Sequence, residues 1–455
     1  MKAVEYVEKI KSGELSAVET TKAVIKEIKK LNDYNYFNTI SESLALELAE
    51  RADKNPKGRL AGLPVSLKDD LCIKGVETTC SSNILKGYKP TFNASVVEKL
   101  INEGAVIIGK TNQDTFGFGS FNVNTDYKIP KNPLDTTRVT GGSSGGAAGF
   151  TALTKFPHVA IGESTGGSIA APCSFCGVTG MTPTYGLVSR YGLIDYANSL
   201  DKIGPIAKNV EDLELVLDVI KGNDKKDSTS LNEDLKNDNK VKKIGLIKET
   251  LNVDPKIKDL VLKKLNETGI KYDIVSLPTI TKSSLSSYYI IAMAEASTNL
   301  AKYCGMRYGQ EEKVNLPFNE YFSNIRTKNF NKEIKRRIIL GTFTRMAGYR
   351  DAFYLKAMKV RTLVIEEYKK TFKKYDLLVS PTMPIIAPKF SEVNKLKPKD
   401  HYMMDIMTVG PNLAGIPHIS LNAGTYNKMP VGIMFMGDYL NEKKLFNIGN
   451  GLQDN

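Results

Sequence analysis

Thr140-Gly141-Gly142-Ser143-Ser144-Gly145-Gly146 and Glu163-Ser164-Thr165-Gly166-Gly167-Ser168 flank a short apolar run, His158-Val159-Ala160-Ile161-Gly162. Glycine at this density lets the backbone turn sharply and approach a ligand closely. It also lets consecutive N–H groups aim at one point. Because both clusters abut apolar segments, they read as tight loops on a rigid scaffold, with residues 158–162 as a strand between them. The same strand pattern recurs outward. Residues 59–67 turn through Gly62 to Pro64 and then alternate Leu63, Val65 and Leu67, delivering Lys68 at the strand end. Residues 105–109, 243–247 and 376–380 are further short apolar strands, and helices are predicted over 15–31, 94–103, 209–221 and 350–372. Ser16 and Glu19 fit a capping box, with Thr21, Val24, Ile25, Ile28 and Leu31 on one helix face. Alternating helices and strands predict an α/β fold: a large mixed β-sheet covered by helices on both faces.

The polar run 221–242 is the expected surface loop. Beyond it lies a Lys-rich, more helical stretch, about 245–372, expected to pack on the sheet core. Residues 373–437 return to strands and turns, and no repeat of 20–50 residues is seen. The simplest organisation for 1–455 is a single domain. Of the 455 residues, 41% are hydrophobic and 25% charged, which excludes wholesale disorder. No run approaches the roughly 20 apolar residues of a membrane helix, and the N-terminus has no secretory apolar core. An intracellular, cytoplasmic protein is expected. The five cysteines are odd in number, and Cys173 and Cys176 form a lone C-x-x-C without further ligands at useful spacing, so buried thiols are expected and no metal. The formal charge of +13 raises a nucleic-acid partner, but the basic residues are spread and lack aromatic interleaving, so a Lys-rich surface is the better reading.

Three chemistries compete for the glycine-serine loops. A phosphate loop would need Gly-Lys-Ser/Thr, which follows neither cluster. A nucleophile elbow fits Gly141-Gly142-Ser143-Ser144-Gly145, but it needs a histidine base, and only His158, His401 and His418 exist. His401 and His418 qualify on chain order alone, and His418 looks like the start of a strand. The third chemistry uses lysine. A serine hydroxyl is activated by a neutral amine whose pKa is depressed by burial. Lys68, Ser143 and Ser168 supply a base, a bridge and a nucleophile. Successive N–H groups from Thr165, Gly166, Gly167 and Ser168 supply an oxyanion hole, where one donor is typically worth about 3 kcal/mol.

With these residues in view, the sequence resembles the amidase signature family over nearly its whole length. The resemblance rests on Gly62-Leu63-Pro64-Val65-Ser66-Leu67-Lys68-Asp69, Gly109-Lys110-Thr111-Asn112, the two glycine-serine loops, Pro183-Thr184-Tyr185-Gly186 and Asn412-Leu413-Ala414-Gly415-Ile416-Pro417. It implies an amidase-signature fold with Lys68 as base, Ser143 bridging through a cis peptide and Ser168 attacking the amide. Within the family, Lys68-Asp69-Asp70-Leu71-Cys72-Ile73-Lys74-Gly75, Thr78-Thr79-Cys80-Ser81-Ser82, Arg336-Arg337-Ile338, Leu340-Gly341-Thr342-Phe343, Tyr349 and Lys359-Val360-Arg361-Thr362 are similar to the glutaminase subunits of tRNA-dependent amidotransferases. That similarity implies glutamine as substrate, B and C partner subunits, and a misacylated tRNA handled by a partner. It also implies ATP and Mg at that partner and no cofactor in this chain. The rival reading is a stand-alone Ser-Ser-Lys amidase for a small or aryl amide.

Arg361 shares a helical face with Tyr354, Met358 and Ile365. A buried-face arginine needs an anionic partner, either an internal carboxylate or the α-carboxylate of glutamine. The family position points to the second, and Asp405 is a candidate for the substrate ammonium. Three features depart from the family pattern: Ser164 replaces Asp, Ala170 replaces Arg, and Asn112-Gln113-Asp114-Thr115-Phe116 replaces Asn-x-Asp-Glu-Phe. The stretch from Ser143 to Ser168 is also a residue longer than usual. The missing Asp and Arg bear on how the oxyanion loop is supported.

Overall fold

Eleven short segments with β-branched and apolar residues form one sheet in the computed structural model, which describes residues 1–313 and 316–453. They are β1 (Phe37–Ile40), β2 (Pro64–Lys68), β3 (Val106–Thr111), β4 (Val159–Ser164), β5 (Thr179–Thr182), β6 (Lys202–Ala207), β7 (Ile244–Ile247), β8 (Tyr272–Val275), β9 (Leu377–Pro381), β10 (His418–Tyr426) and β11 (Met429–Gly437). Their order is β1-β3-β2-β4-β6-β5-β10-β11-β9-β7-β8. The sheet is mixed: β2 runs parallel to β3 and β4, and β4 antiparallel to β6. β10 and β11 form a hairpin through Asn427 and Lys428, both at positive φ as a two-residue turn of this hand requires.

Side-chain alternation shows that both faces are covered. On β11, Ile433 and Phe435 join one core cluster and Met434 and Met436 another. On β9, Leu377 and Val379 face the first and Leu378 the second. The first cluster is closed by helices Ser95–Asn102, Val210–Ile220 and Pro255–Asn266. The second is closed by Pro278–Asn299, Phe318–Asn329, Lys332–Arg345 and Lys356–Phe372. The expected α/β architecture is therefore present.

Element boundaries follow local chemistry. The first predicted helix spans Ala17–Lys30, with Ser16 Oγ accepting from the Glu19 N–H and Thr21, Val24, Ile25 and Ile28 buried. Asn209 caps Val210–Ile220 in the same way. The prediction over 350–372 is met by a π turn, Asp351–Leu355, running into Lys356–Phe372. Its buried stripe is Ala357, Val364, Tyr368 and Thr371, so the expected face of Tyr354, Met358, Arg361 and Ile365 is only half-buried. The stretch 245–372 is less purely helical than expected. β7 opens it, and β8, which carries no strong apolar run, closes the sheet edge beside it. Residues 221–242 hold no helix or extended strand; Asp224 and Asp227 tie the run to Ser189 and Arg190.

Candidate active site

Lys68 ends β2 with its side chain turned away from Val65 and Leu67, which fill the first core. Its Nζ is wholly enclosed, at 0% exposure. It donates to Ser143 Oγ at 2.8 Å, to the Glu163 carbonyl at 3.0 Å and to Glu163 Oε2 at 2.7 Å, and Asp70 Oδ2 lies at 3.3 Å. Burial draws the Lys68 ammonium down, but Asp70 and Glu163 more than offset it, and its pKa stands above the ordinary lysine value. The expected depression is thus reversed, because two carboxylates share the amine's pocket. Burial raises Asp70 as well, despite its lysine neighbour.

Ser143 lies in the first glycine turn, after a cis Gly142–Ser143 peptide bond. Gly141 has φ +80°, and a Cβ there would stand 2.8 Å from Pro172 Cα, so the turn accepts only glycine. The second turn is bound to the first: the Ser144 N–H donates to the Ser168 carbonyl at 3.1 Å, and Ser144 Oγ donates to the Glu163 carbonyl at 3.2 Å. The side chain of Ser168 is 6% exposed, and no hydrogen bond joins its hydroxyl to Ser143. The N–H groups of residues 165–168 donate to no other described residue, which leaves them free to meet an oxyanion.

The turn 165–168 is held by its carbonyls. Asn412 Nδ2 donates to the Gly166 carbonyl, and Ser164 Oγ donates to it at 3.1 Å. Ser164, at the position where the resemblance implies Asp, therefore supports the loop. Tyr288 lies over Gly166, where a Cβ would meet its phenolic oxygen at 2.8 Å. Thr408 and Asp405 lie against Gly167, at 2.6 and 3.5 Å from a Cβ built there. Asp405 accepts from Ser120 Oγ at 3.0 Å and from Tyr289 Oη at 2.5 Å, and burial raises its pKa. A cavity of about 230 Å³ lined by Ser120, Arg337, His401 and Tyr402 opens beside it. A larger one, about 560 Å³, lies away from Lys68 between the helix Lys356–Phe372 and Ile416.

Arg361 meets neither an internal carboxylate nor Ser143 or Ser168 directly. Its Nε donates to the Leu413 carbonyl at 2.8 Å, and its terminal nitrogens donate to Ser199 Oγ and to the Ser199 carbonyl at 2.9 and 2.8 Å. It thereby anchors the turn that carries Asp201, whose Oδ1 accepts from Thr165 Oγ1 at 2.9 Å. The histidines take no part. His158 Nε2 pairs with Ser66 and its Nδ1 with Thr151, and burial holds its pKa down to about 3. His418 begins β10, where burial holds its ring neutral, and His401 packs edge-on to Phe121. The elbow reading therefore has no base. Cys173 and Cys176 are buried thiols on one helix, and among the described residues no group of three or more His, Cys, Asp or Glu is placed to hold a metal ion.

Residues 19–446 match the protein family described as Amidase. The chain belongs to the amidase family. Over 99% of its length it is 44% identical to the A subunit of the glutamyl-tRNA(Gln) amidotransferase of Archaeoglobus fulgidus, covering 98% of that protein. It is 45% identical to the protein of the same name from Carboxydothermus hydrogenoformans, covering 100% of this chain and 97% of that one. Among solved structures, the A subunit of the Thermotoga maritima glutamyl-tRNA(Gln) amidotransferase superposes with a TM-score of 0.80 at 34% identity, covering 96% of this chain and 92% of that one.

Three contributors to the site of this amidase carry little signal in the sequence. Glu163 stands inside a glycine-serine motif, yet nothing local reveals its charge beside Lys68; the same holds for Asp70 in the Lys-Asp-Asp run. Asp201 follows Leu200 in an unremarkable stretch and carries no motif signal.

Proposed function

We propose that this amidase-family chain is the glutaminase subunit of a tRNA-dependent amidotransferase. It releases ammonia from glutamine for the amidation of misacylated Glu-tRNA(Gln), Asp-tRNA(Asn) or both. The reading is supported by similarity over nearly the full length to subunits of that name. The observation that carries the chemistry is the 2.8 Å contact of enclosed Lys68 Nζ with Ser143 Oγ, beside a turn whose N–H groups are free. Ser168 is the nucleophile. Rotation of its side chain brings its hydroxyl to Ser143, and catalytic hydrogen bonds commonly tighten only around substrate. The amine form of Lys68 takes the Ser143 proton as Ser143 takes that of Ser168, and Ser168 Oγ bonds to the amide carbon of glutamine. The N–H groups of Thr165, Gly166, Gly167 and Ser168 hold the oxyanion. The proton returns through Ser143 to the leaving ammonia, and water then converts the acyl-enzyme to glutamate.

Asp405 faces the glutamine ammonium from beside Gly167. Arg361, with two guanidinium N–H groups beyond those given to Ser199 and Leu413, takes the α-carboxylate. B and C subunits act with this chain in the cytoplasm, and ATP and Mg are used at the partner that activates the misacylated tRNA. The test is ammonia release from glutamine by the chain alone and with its partner subunits. Ser168→Ala is expected to abolish release with the fold retained. Turnover that survives in that variant rejects the assignment. Release from aryl amides, with glutamine inert even in the presence of partners, supports a stand-alone amidase instead.

A further inference from the structure

The base required by this mechanism is an uncharged amine, yet the pocket is built to hold a charged one. Lys68 Nζ is enclosed with Glu163 Oε2 at 2.7 Å and Asp70 Oδ2 at 3.3 Å. The far oxygen of Glu163 continues the chain: Thr165 Oγ1 stands 2.9 Å from Glu163 Oε1 and 2.9 Å from Asp201 Oδ1. A hydroxyl has one proton to donate. Between two carboxyl oxygens at that distance, one carboxyl must supply the second proton. Asp201 also accepts from the Tyr196 and Ala197 N–H groups at 2.9–3.0 Å. The result is a closed line of groups: Asp201, Thr165, Glu163, Lys68, Ser143.

We propose that Glu163 is the proton store of Lys68, a positioning residue that accepts the ammonium proton on Oε2 and so leaves the free amine facing Ser143. The Nζ–H bond breaks, its electron pair stays on nitrogen, and an Oε2–H bond forms over 2.7 Å. No proton enters or leaves the pocket, and its net charge is unchanged. Removing a plus and a minus together suits a dry site, where both charges are costly to keep. Thr165 keeps the other carboxyl oxygen hydrogen-bonded through the exchange. Burial and the nearby Glu163 raise Asp201 well above the usual carboxyl range, consistent with a proton held on the line. Other charged groups along this line are Asp70 beside Lys68, Lys110 on β3 beside Asp70, Asp114 after β3 with Arg337 on the helix Lys332–Arg345, and Arg190 and Asp195 beside Asp201.

This inference deepens the proposed amide hydrolysis and rests on it, so the test includes Ser168→Ala. With an internal store, the amine forms without loss of a proton to solvent, and kcat of the wild-type complex is flat between about pH 7 and 9. In Glu163→Gln the loss of one carboxylate eases the Lys68 pKa down, but Asp70 still holds the ammonium and its proton must leave to solvent, so kcat at pH 7 falls by roughly ten-fold or more and log kcat rises with pH at unit slope. Asp70→Asn also removes a charge from beside Lys68 but leaves the store, so its kcat, whatever the height of its plateau, stays independent of pH between about pH 7 and 9. Glu163→Gln with wild-type kcat, or with a loss that does not vary with pH, overturns the proposal. If Glu163→Gln does not fold, Glu163→Asp decides: its shorter carboxylate is expected to slow the plateau several-fold, and an unchanged plateau overturns the store. Activity surviving in Ser168→Ala rejects the nucleophile itself, which separates the two failures.

Discussion

Two lysines of this protein are equally enclosed and carry opposite electrostatics. Lys68 ends β2, and Lys202 begins β6 opposite Ser164 on the neighbouring strand β4. Lys202 donates to the Ile416 carbonyl at 3.0 Å and feels Glu442 only at longer range. Burial pushes its pKa down to about 7. Lys68 is at least as buried, but two carboxylates touch it and it moves the other way. Burial alone makes a lysine a neutral amine; contact with carboxylates cancels that. The difference is one of partners and not of depth. The depressed amine expected of the proposed base is found in the same sheet, at Lys202, a position with no part in the proposed mechanism.

Substitutions at the two positions break or sharpen this contrast. Lys68→Ala is expected to lower glutamine turnover by roughly 10⁴- to 10⁶-fold, the range over which loss of one triad member acts elsewhere; steady-state ammonia release measures it. Lys202→Met is expected to stay within about three-fold in the same assay, and a large loss there would make the contrast one of position only. Ser143→Ala should fall between them. The bridge is worth roughly 10²-fold as a proton-transfer partner, and a water entering the vacated volume recovers part of that. Arg361→Ala is expected to raise KM for glutamine by roughly 30-fold with a smaller effect on kcat, the scale of a lost charged hydrogen-bond pair. An unchanged KM would leave Arg361 as a strut for the Ser199 turn.

The smallest effect is on stability. The Lys202 pKa is lower folded than unfolded, so the unfolded chain binds the extra proton between about pH 7 and 10. Stability therefore rises with pH across that window. Lys202→Met should lose this component of the slope, read as the difference in urea midpoint between variant and wild type from about pH 7 to 10. Lys68, with its raised pKa, contributes no such rise: its ion pairs persist below the unfolded lysine pKa and weaken only above it.

Much of the site was legible because turns and strand ends have local causes. Glycines at 141 and 166 allow close approaches that other residues forbid, and the alternation of Leu63, Val65 and Leu67 placed Lys68 at a strand end facing away from the first core. The sheet followed from short apolar runs between helices. Less was legible where elements lack periodicity. β8 has exposed Asp273 and Ile274 and joins the sheet through its backbone pairing to β7. The face of Arg361 was read one position off: the π turn puts only Tyr354 out of phase, while Met358 and Ile365 each lie one residue beyond the buried Ala357 and Val364.

The sequence by itself determined the chemistry available here: a lysine at a strand end, two serines in glycine turns, and the family to which they belong. Only the tertiary structure decided the charge on that lysine. Glu163 lies 95 positions away along the chain, and it meets Lys68 because β2 and β4 run side by side. A pKa depends on distance and on the exclusion of water, and neither exists until the strands pair.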